Sequence, residues 1–567
     1  MVKPFKDLCF LCEELSKLSK RTSMANLVSN FIKDLDIEEL EIASRMIIGE
    51  IFPPWSQLEF DISGATIWKI MKELTGITDE EFIDFFNETG DLGSCVKEIF
   101  EFKGKVQTKL YQFKPLSITD VNEHLKELAS IIGEGSRKRK EKLLKALLER
   151  ASPIEAKYIV KFIIGERRHG FGEGLMIESI SKAFNVPSEI IRRANMFLCD
   201  VGKLAALTKK YGSQYLRTIN VTLFHPVKPM LAGDAENVLD ALKTLGGRAA
   251  FEIKPDGARV QIHKKGEKVK IFSRRLTDVT NSLPDIVEMV NRKVKLKEFI
   301  IEGEVIVIDE NGKPLPFQYV MRRFTRVKGT DKMMEHYPAK LYVFDILYAD
   351  GRSLINKSYE NRRRFLENKI EESIVMPRIV TSNPNKAEIF FKYSIDSGHE
   401  GLVAKRLTST YTPGIRGKHW LKIKENPKTL DLVIVAAEYG YGYRFKWLSD
   451  YHLAARDEET GEYLVVGKTF TGLTDKEIID LTSKLERLAI AKRGRTIIVQ
   501  PKIVLEIAFS EIQKSPNYRS GYALRFARIK RIRSDKTPEE ADTIQKIIRL
   551  YEDQFKRKGK FSDLIAE

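Results

Sequence analysis

The sequence is poor in cysteine and has no long apolar run. Four cysteines in 567 residues are too few for the disulfide framework of a secreted protein. Cys9 and Cys12 have CxxC spacing, but they lie in a helical pattern without a second pair, so we predict core packing for them and for Cys95 and Cys199. The absence of about 18 consecutive apolar residues argues against a membrane-spanning helix. Charged residues also interrupt the opening segment, so we expect no secretion signal and a cytoplasmic protein.

Negative charge is the scarcer sign. The chain has 96 Lys and Arg against 79 Asp and Glu, a formal net charge of +17, and a pI near 9.3. A basic surface attracts a polyanion such as nucleic acid, although it also serves solubility. A chain of this length with 43% hydrophobic residues is too long for one core, and about three domains are expected.

Residues 1–223 carry apolar residues at helical spacing, which predicts an all-α domain. Ser152 and Glu155 have the spacing of a capped helix start. Two glycine-bearing turns, 133–140 and 165–174, each lead into a predicted helix. Helix N-termini can hold phosphate groups through free N–H groups and a positive dipole end. A single such turn is more often a solvated helix end, so the turns alone leave both readings open.

The rest of the chain predicts two further folds. Residues 224–428 mix strands and helices after a proline-rich joint at 225–232, and they predict an α+β domain with antiparallel sheets. Residues 429–567 carry short strands with glycine turns and predict an all-β, five-stranded OB-fold domain. A closing helix is predicted to start at Thr537 and Glu540.

The most informative segment reads FEIKPDGARVQIH, at residues 251–263. Alternation along a strand puts Glu252 and Lys254 on one face and apolar side chains on the other. An Asp-Gly turn follows at Asp256, and Arg259 stands five residues after the lysine. A lysine on a strand is usually a solvated edge residue, so this segment by itself suggests a reactive amine without establishing one.

Five more motifs and a basic stretch follow in order along the chain. They are FSRR at 272–275, IIEGEVIV at 300–307, YVFDILY at 342–348, EGLVAKR at 400–406, WLKIK at 420–424 and RFARIKRIRSDK at 525–536. This series resembles the covalent nucleotidyltransferase superfamily, and the whole chain resembles an ATP-dependent DNA ligase of the archaeal and eukaryotic replicative type. The resemblance implies a helical DNA-binding domain, an adenylation domain and an OB-fold domain, with the two glycine turns as DNA-contacting loops.

The resemblance implies an enzyme that seals nicks in duplex DNA during replication, repair and recombination. ATP would adenylate Lys254, the AMP would pass to the 5′ phosphate, and the 3′ hydroxyl would displace it. An ordinary lysine has a pKa of about 10.4, so Lys254 must be helped to lose its proton. Burial and nearby cations would lower this pKa. The cations expected near the amine, which would also bind the triphosphate, are Arg259, Arg274, Lys422 and Lys424.

The resemblance also implies roles for other residues. They are adenine recognition for Glu252, stacking on the base for Phe344, ribose or Mg²⁺ contact for Glu304, Mg²⁺ binding for Glu400, phosphate contact for Arg416, and shaping of the lysine turn for Asp256 and Gly257. Glu302 shares a strand face with Glu304 but could simply be solvated. In the last basic stretch, Arg528, Asp535 and Lys536 would help to orient the pyrophosphate leaving group. A solvated or DNA-backbone face is the alternative for that stretch.

Partners and rival functions complete the prediction. Nicked duplex DNA is the expected partner of a monomer. Gln107, Leu110 and Tyr111 loosely match a sliding-clamp docking motif, for which an ordinary interdomain loop is the alternative. An RNA ligase or an mRNA capping guanylyltransferase would share the lysine chemistry but resembles only the part after the helical domain. A non-catalytic DNA-binding scaffold would not need every reactive residue.

Overall fold

The fold is described from a computed structural model, which describes residues 3–105, 114–166, 170–324, 334 and 336–559. The chain divides into two compact units, Met1–Ile423 and Lys424–Glu567. The predicted three-domain division, at 223/224 and 428/429, stays a prediction. The clamp-like motif at Gln107, Leu110 and Tyr111 lies outside the described residues.

The first part of the larger unit is helical, as the apolar spacing predicts. Its described helices are α1 (Phe5–Lys17), α2 (Arg21–Lys33), α3 (Ile37–Ile47), α4 (Gly64–Thr75), α5 (Asp79–Thr89), α6 (Leu92–Lys103), α7 (Ile118–Ser130), α8 (Ser136–Arg150), α9 (Pro153–Ile164), α10 (Glu173–Phe184), α11 (Ser188–Leu198) and α12 (Val201–Thr218). They enclose one continuous apolar core. No helix in the described part of the chain is both long and apolar enough to cross a membrane.

Local sequence signals position several of these helices. Ser152 caps α9, and the Glu155 carboxylate accepts a hydrogen bond from the Ser152 N–H at 2.8 Å. The two glycine turns lead into α8 and α10 as predicted, although residues 167–169 of the second turn lie outside the described ranges. All four cysteines are buried and unpaired, which confirms their placement in the core. Burial raises the pKa of each thiol.

The second part of the larger unit is α+β. Its strands are β1 (Leu231–Asp234), β2 (Ala249–Lys254), β3 (Ala258–Lys265), β4 (Lys268–Ser273), β5 (Glu298–Val307), β6 (Ala339–Ala349), β7 (Arg352–Ser353), β8 (Arg378–Thr381), β9 (Gly401–Arg406) and β10 (Arg416–Lys424). Its described helices are α13 (Val238–Leu245), α14 (Pro284–Lys293), α15 (Phe317–Phe324), α16 (Tyr359–Lys369) and α17 (Pro384–Asp396).

These strands form two five-stranded sheets, in the orders β1-β10-β9-β2-β8 and β4-β3-β5-β6-β7. The second sheet is antiparallel throughout, whereas in the first sheet β1 pairs with β10 in parallel. Strand β2 belongs to the first sheet and β3 to the second, so the three-residue turn between them carries the chain from one sheet to the other. Lys254 and Arg259 therefore lie on either side of the junction between the sheets.

The smaller unit, described as far as residue 559, is a β domain with two α-helices in that range. Its strands are β11 (Thr429–Tyr439), β12 (Leu448–Arg456), β13 (Tyr463–Thr469), β14 (Ala489–Arg493), β15 (Thr496–Val499), β16 (Val504–Ala508), β17 (Glu511–Lys514), β18 (Tyr522–Arg525) and β19 (Arg528–Ile532), and its helices are α18 (Asp475–Arg487) and α19 (Ile544–Gln554). Seven strands form one sheet around the long β11, and β17 pairs with β18.

Two details of this unit correct the sequence prediction. The main sheet has seven strands where five were predicted. The closing helix starts at Ile544, because the predicted cap at Thr537 and Glu540 forms but caps only a short 3₁₀ turn, Pro538–Glu540. Thr543 then caps α19 with its side chain.

Candidate active site

The turn after β2 packs so closely on β5 that there is no space for a side chain at Gly257. A Cβ atom on Gly257 would lie 2.5 Å from the Val305 carbonyl oxygen, 2.8 Å from Ile306 Cγ2 and 2.9 Å from Glu304 Cγ. Gly257 does not have a positive φ, so close approach to β5 is what requires glycine here. The turn therefore packs directly on the strand that carries Glu304.

Lys254 ends β2 beside a carboxylate. Its Nζ lies 2.6 Å from Glu400 Oε2, and the Glu400 N–H donates to the Lys254 carbonyl at 2.9 Å. Burial lowers the pKa of Lys254, but Glu400, Glu304 and Asp256 outweigh burial and raise the pKa above its usual value. The prediction that nearby cations lower the pKa of Lys254 is therefore wrong for this structure, in which the neighbouring charges with the largest effect are carboxylates.

Glu304 is the second carboxylate at this junction. It lies opposite Arg259 in the β3–β5 ladder. Burial raises the pKa of Glu304 to about 7, against the lowering effects of Lys254 and Arg259. The described residues contain no cluster of three or more metal-ligating side chains. Two carboxylates are nevertheless a suitable donor set for Mg²⁺, which commonly takes one or two carboxylates plus substrate phosphates and water.

Glu252 lies in a buried cluster of charged and phenolic groups that sequence reasoning missed. Its Oε1 accepts hydrogen bonds from the Tyr359 hydroxyl at 2.5 Å and from Arg363 Nη1 at 2.9 Å, and its Oε2 lies 2.5 Å from Lys405 Nζ. The carboxylate is thus held by two cations and one phenol. A signal existed for Lys405, which stands in the EGLVAKR motif, but Arg363 is one of three consecutive arginines on α16 and had none.

Phe344 contacts both this cluster and Arg259, which lies at the junction of the two sheets. The ring is buried, with Lys405 Nζ at 4.5 Å and Arg259 Cζ at 5.2 Å from its centroid. Trp420 contacts Phe344 edge-on, with a centroid separation of 6.2 Å. The structure therefore brings Glu252 and Arg259 together beside the rings of Phe344 and Trp420.

Arg259 is held by Glu302, and the solvated position that was the alternative for Glu302 is wrong. Glu302 is 1% exposed, and its Oε2 lies 2.6 Å from Arg259 Nη2. Burial lowers the pKa of Arg259, but Glu302 and Tyr411 outweigh burial and raise it. Arg259 is therefore a permanent cation with a fixed orientation.

The other predicted cations lie in more open places. Lys422 Nζ pairs with Asp234 Oδ1 at 3.0 Å. Arg274, Arg416 and Lys424 are exposed. Lys424 is the last residue of β10 and, because the boundary falls inside that strand, the first residue of the smaller unit. Among the described residues, the side chains of Arg274 and Arg416 have no hydrogen-bond or ion-pair partner, so both guanidinium groups are available to an anionic ligand.

The smaller unit holds the predicted C-terminal residues. Lys536 Nζ and Arg533 Nη1 contact Asp431 Oδ2 at 2.7 and 2.8 Å. Asp535 pairs with Arg533 at 2.7 Å, and this guanidinium holds the pKa of Asp535 well below its usual range. Arg528 begins β19 and is exposed. Lys536 and Asp535 thus belong to one ion-pair group around Asp431 and Arg533.

Family models and known proteins of one kind match this chain over nearly its whole length. Three family models match in order: DNA ligase N terminus at residues 4–181, ATP dependent DNA ligase domain at 229–424, and ATP dependent DNA ligase C terminal region at 444–536. The chain is 45% identical to DNA ligase 1 of Korarchaeum cryptofilum, over 97% of this chain and 99% of that protein. It is 41% identical to a DNA ligase of Thermococcus fumicolans, over 98% of this chain and 100% of that protein.

A solved structure supports the fold. The structure named Pmar-Lig_Pre matches with a TM-score of 0.58 and 17% identity, over 93% of this chain and 99% of that one. At this identity the match shows the fold alone. It extends across the helical, α+β and β regions.

Proposed function

Since the chain belongs to the family of ATP-dependent DNA ligases, we propose that Lys254 is the residue that carries AMP between ATP and DNA. As a member of this family, the chain is an enzyme that seals nicks in duplex DNA and takes AMP from ATP. The observation that supports Lys254 is its position at the junction of the two sheets, with Glu400 at 2.6 Å and Glu304 beside it.

The proposed reaction has three steps. The neutral Lys254 amine attacks the α-phosphorus of ATP, a P–N bond forms, and pyrophosphate leaves. The 5′ phosphate at the nick then attacks the same phosphorus and releases the lysine. Finally the 3′ hydroxyl attacks the adenylated 5′ phosphate, a phosphodiester forms, and AMP leaves.

The first step requires Lys254 to lose its proton. Glu400 is the strongest influence that keeps the amine charged, so any cation that engages this carboxylate favours the neutral form. We propose that Glu400 and Glu304 hold Mg²⁺, which would supply positive charge to the phosphates. Arg259, Arg416 and Lys422 would bind the triphosphate, together with Arg274 and Lys424.

The nucleobase would lie against Phe344, with Glu252 as its polar contact. A carboxylate paired with Lys405 and Arg363 offers oxygen atoms that accept hydrogen bonds. Adenine offers an amino donor at C6, whereas guanine offers a carbonyl acceptor there. The Glu252 cluster therefore favours adenine.

The two glycine turns would hold the DNA backbone. Gly135 precedes α8 and Gly172 precedes α10, so each turn presents a helix N-terminus. In the smaller unit, Lys536, Asp535 and Arg528 would orient the pyrophosphate during the first step. A monomer in the cytoplasm, sliding-clamp docking through Gln107 and Tyr111, and roles in replication, repair and recombination belong to the same proposal.

A covalent-labelling experiment tests the proposal. The chain is mixed with α-labelled ATP and Mg²⁺, and protein-bound label is measured for the wild type, Lys254→Ala and the matched control Lys265→Ala. Lys265 is an exposed lysine at the end of β3. We expect Lys254→Ala to lose the label and nick sealing, and Lys265→Ala to keep both. Full sealing by Lys254→Ala would refute the proposal, and labelling by GTP in place of ATP would point to capping chemistry.

A further inference from the structure

A short segment, residues 224–230, connects the helical region to the first sheet and is held from both sides. On the helical side, His225 Nε2 contacts the Leu198 carbonyl at 2.9 Å, and Lys228 forms an ion pair with Glu173. Glu173 is the first residue of α10 and lies at the end of the second glycine turn, residues 165–174. The segment is therefore attached to a part of the helical region that we propose contacts DNA.

On the other side, buried side chains of the α+β region hold the backbone of the same segment. Three of its N–H groups donate hydrogen bonds of 2.9 Å: Phe224 to His263 Nδ1, Val227 to Gln261 Oε1 and Met230 to the Tyr411 hydroxyl. The segment has no regular secondary structure over most of its length. These side chains supply partners that a sheet or a helix would otherwise provide.

The residues that hold the segment also hold Glu302. Gln261 Nε2 donates to Glu302 Oε1 at 3.3 Å, and the Tyr411 hydroxyl donates to Glu302 Oε2 at 2.7 Å. Glu302 Oε2 also accepts from Arg259 Nη2 at 2.6 Å. Arg259 Nη1 in turn donates to the Met230 carbonyl at 2.6 Å. The contacts thus form a closed loop from the segment through Glu302 to Arg259 and back to the segment.

The side chains of this hydrogen-bond network are buried, which restricts them to one arrangement. Gln261, Glu302 and Tyr411 are 4%, 1% and 2% exposed. A buried carboxylate that lost a partner could not replace it with bulk water, so the network favours one arrangement of all its members. The direction of the Arg259 guanidinium is consequently set by Glu302 and by the residues that bind Glu302, and not by Arg259 alone.

We propose that Gln261 and Tyr411 are positioning residues for self-adenylation. Both residues fix Glu302, which binds Arg259, and the Tyr411 hydroxyl also accepts a hydrogen bond from Arg259 Nη2 at 3.3 Å. The orientation of Arg259 therefore depends on the position of residues 224–230. The proposal rests on the proposed role of Arg259 in binding the triphosphate. It adds that the segment leading from the helical region takes part in preparing the nucleotide site.

The principal test uses Tyr411→Phe, which removes one hydroxyl and keeps the ring that packs against Trp420 at 5.9 Å. Tyr348→Phe is the matched control, because it removes a hydroxyl on β6 that contacts Glu298 at 3.3 Å and not the segment. Single-turnover self-adenylation is measured over a range of ATP concentrations. The Tyr411 hydroxyl takes part in three hydrogen bonds, so we expect kcat/KM to fall by at least about tenfold in Tyr411→Phe. In the control it should stay within about twofold.

A double mutant separates positioning from general loss of structure. If Tyr411 acts through Arg259, then Arg259→Ala with Tyr411→Phe is no slower than Arg259→Ala alone, because neighbouring residues in one network are not additive. Additive losses would overturn the proposal. The fraction of protein that takes up label at saturating ATP corrects each rate for misfolded material.

The outcomes also distinguish this proposal from the one it rests on. An unchanged rate in Arg259→Ala would refute the role of Arg259 itself. A slow Arg259→Ala together with wild-type rates in both Tyr411→Phe and Gln261→Met would refute the positioning role alone. Hydrogen exchange provides an independent check, since both network variants should exchange the Val227 and Met230 amides faster than the wild type does. Unchanged exchange would show that the segment is held by other contacts.

Discussion

Replacing Gly257 with alanine tests whether the junction between the sheets fixes the position of Lys254. The added Cβ would lie 2.5 Å from the Val305 carbonyl oxygen, against at least 3.4 Å for an ordinary contact. The turn or β5 must therefore move by about 0.9 Å, and the obstructing atom belongs to the backbone. Overpacking of this kind costs about 1–3 kcal/mol, and we expect a value near the upper end.

The effect on activity should exceed the effect on stability. Lys254 is three residues before Gly257, and Glu304 is one of the residues that the new Cβ would push. A displacement of about 1 Å at a reacting group can reduce a rate about 100-fold. We therefore expect Gly257→Ala to remain folded and to adenylate itself about 100 times more slowly than the wild type.

The assay measures self-adenylation with α-labelled ATP and unfolding by urea on the same preparations. Gly417→Ala on β10 is the matched control, because the nearest atom to its Cβ would be Ile415 Cγ2 at 3.9 Å. It should change neither measurement appreciably. A wild-type labelling rate in Gly257→Ala would show that the turn can yield without moving the amine, and our steric argument would be wrong.

Two further predictions concern the smaller unit and the dependence of stability on pH. Lys536→Ala should slow self-adenylation more than it slows sealing of a nick that already carries AMP, and equal losses in the two assays would contradict its role with pyrophosphate. Burial lowers the pKa of His263 to about 3 from 6.5, so the unfolded chain binds this proton at a pH where the folded chain does not. The stability that depends on a neutral His263 is complete above about pH 6.5 and is lost as the pH falls, by about 2 kcal/mol at pH 5. Urea unfolding at pH 7 and pH 5 should show this loss in the wild type, and His263→Gln should remove that part of it.

The sequence was sufficient for the elements that depend on local patterns. Alternation along 251–263 predicted the strand that ends at Lys254, and helical spacing predicted the helical region with its capped starts. The spacing of Ser152 and Glu155 was enough to place the start of α9, because a capping box involves only four consecutive residues.

Contacts between distant residues were not predictable from residue patterns. Glu400 lies 146 positions after Lys254 in the sequence, and the family resemblance assigned it to the site without predicting its ion pair with the amine. The burial of Glu302 depends on Tyr411 and Arg259, which come from other strands and a loop. Alternation alone places Glu302 on the same strand face as Glu304, and it does not show whether that face is exposed to solvent.

The extra strands of the smaller unit were missed for a different reason. Strand β19 reads RIKRI, and β14 is exposed along its whole length. Edge strands of this kind carry charge, which discourages pairing with other chains, and charge hides the apolar alternation by which strands are recognised. In the basic stretch at 525–536 the cations are therefore evident in the sequence, whereas strand β19 is not.

The four buried thiols give the molecule an internal reporter. All of them lie before residue 200 and all are unpaired, so a thiol reagent reaches them only when the helical region opens. The time course of their modification should follow that opening separately from the remaining two thirds of the chain. A single cysteine introduced on the surface would, under native conditions, be the one site that reacts quickly, which allows a dye to be attached without removing any natural residue.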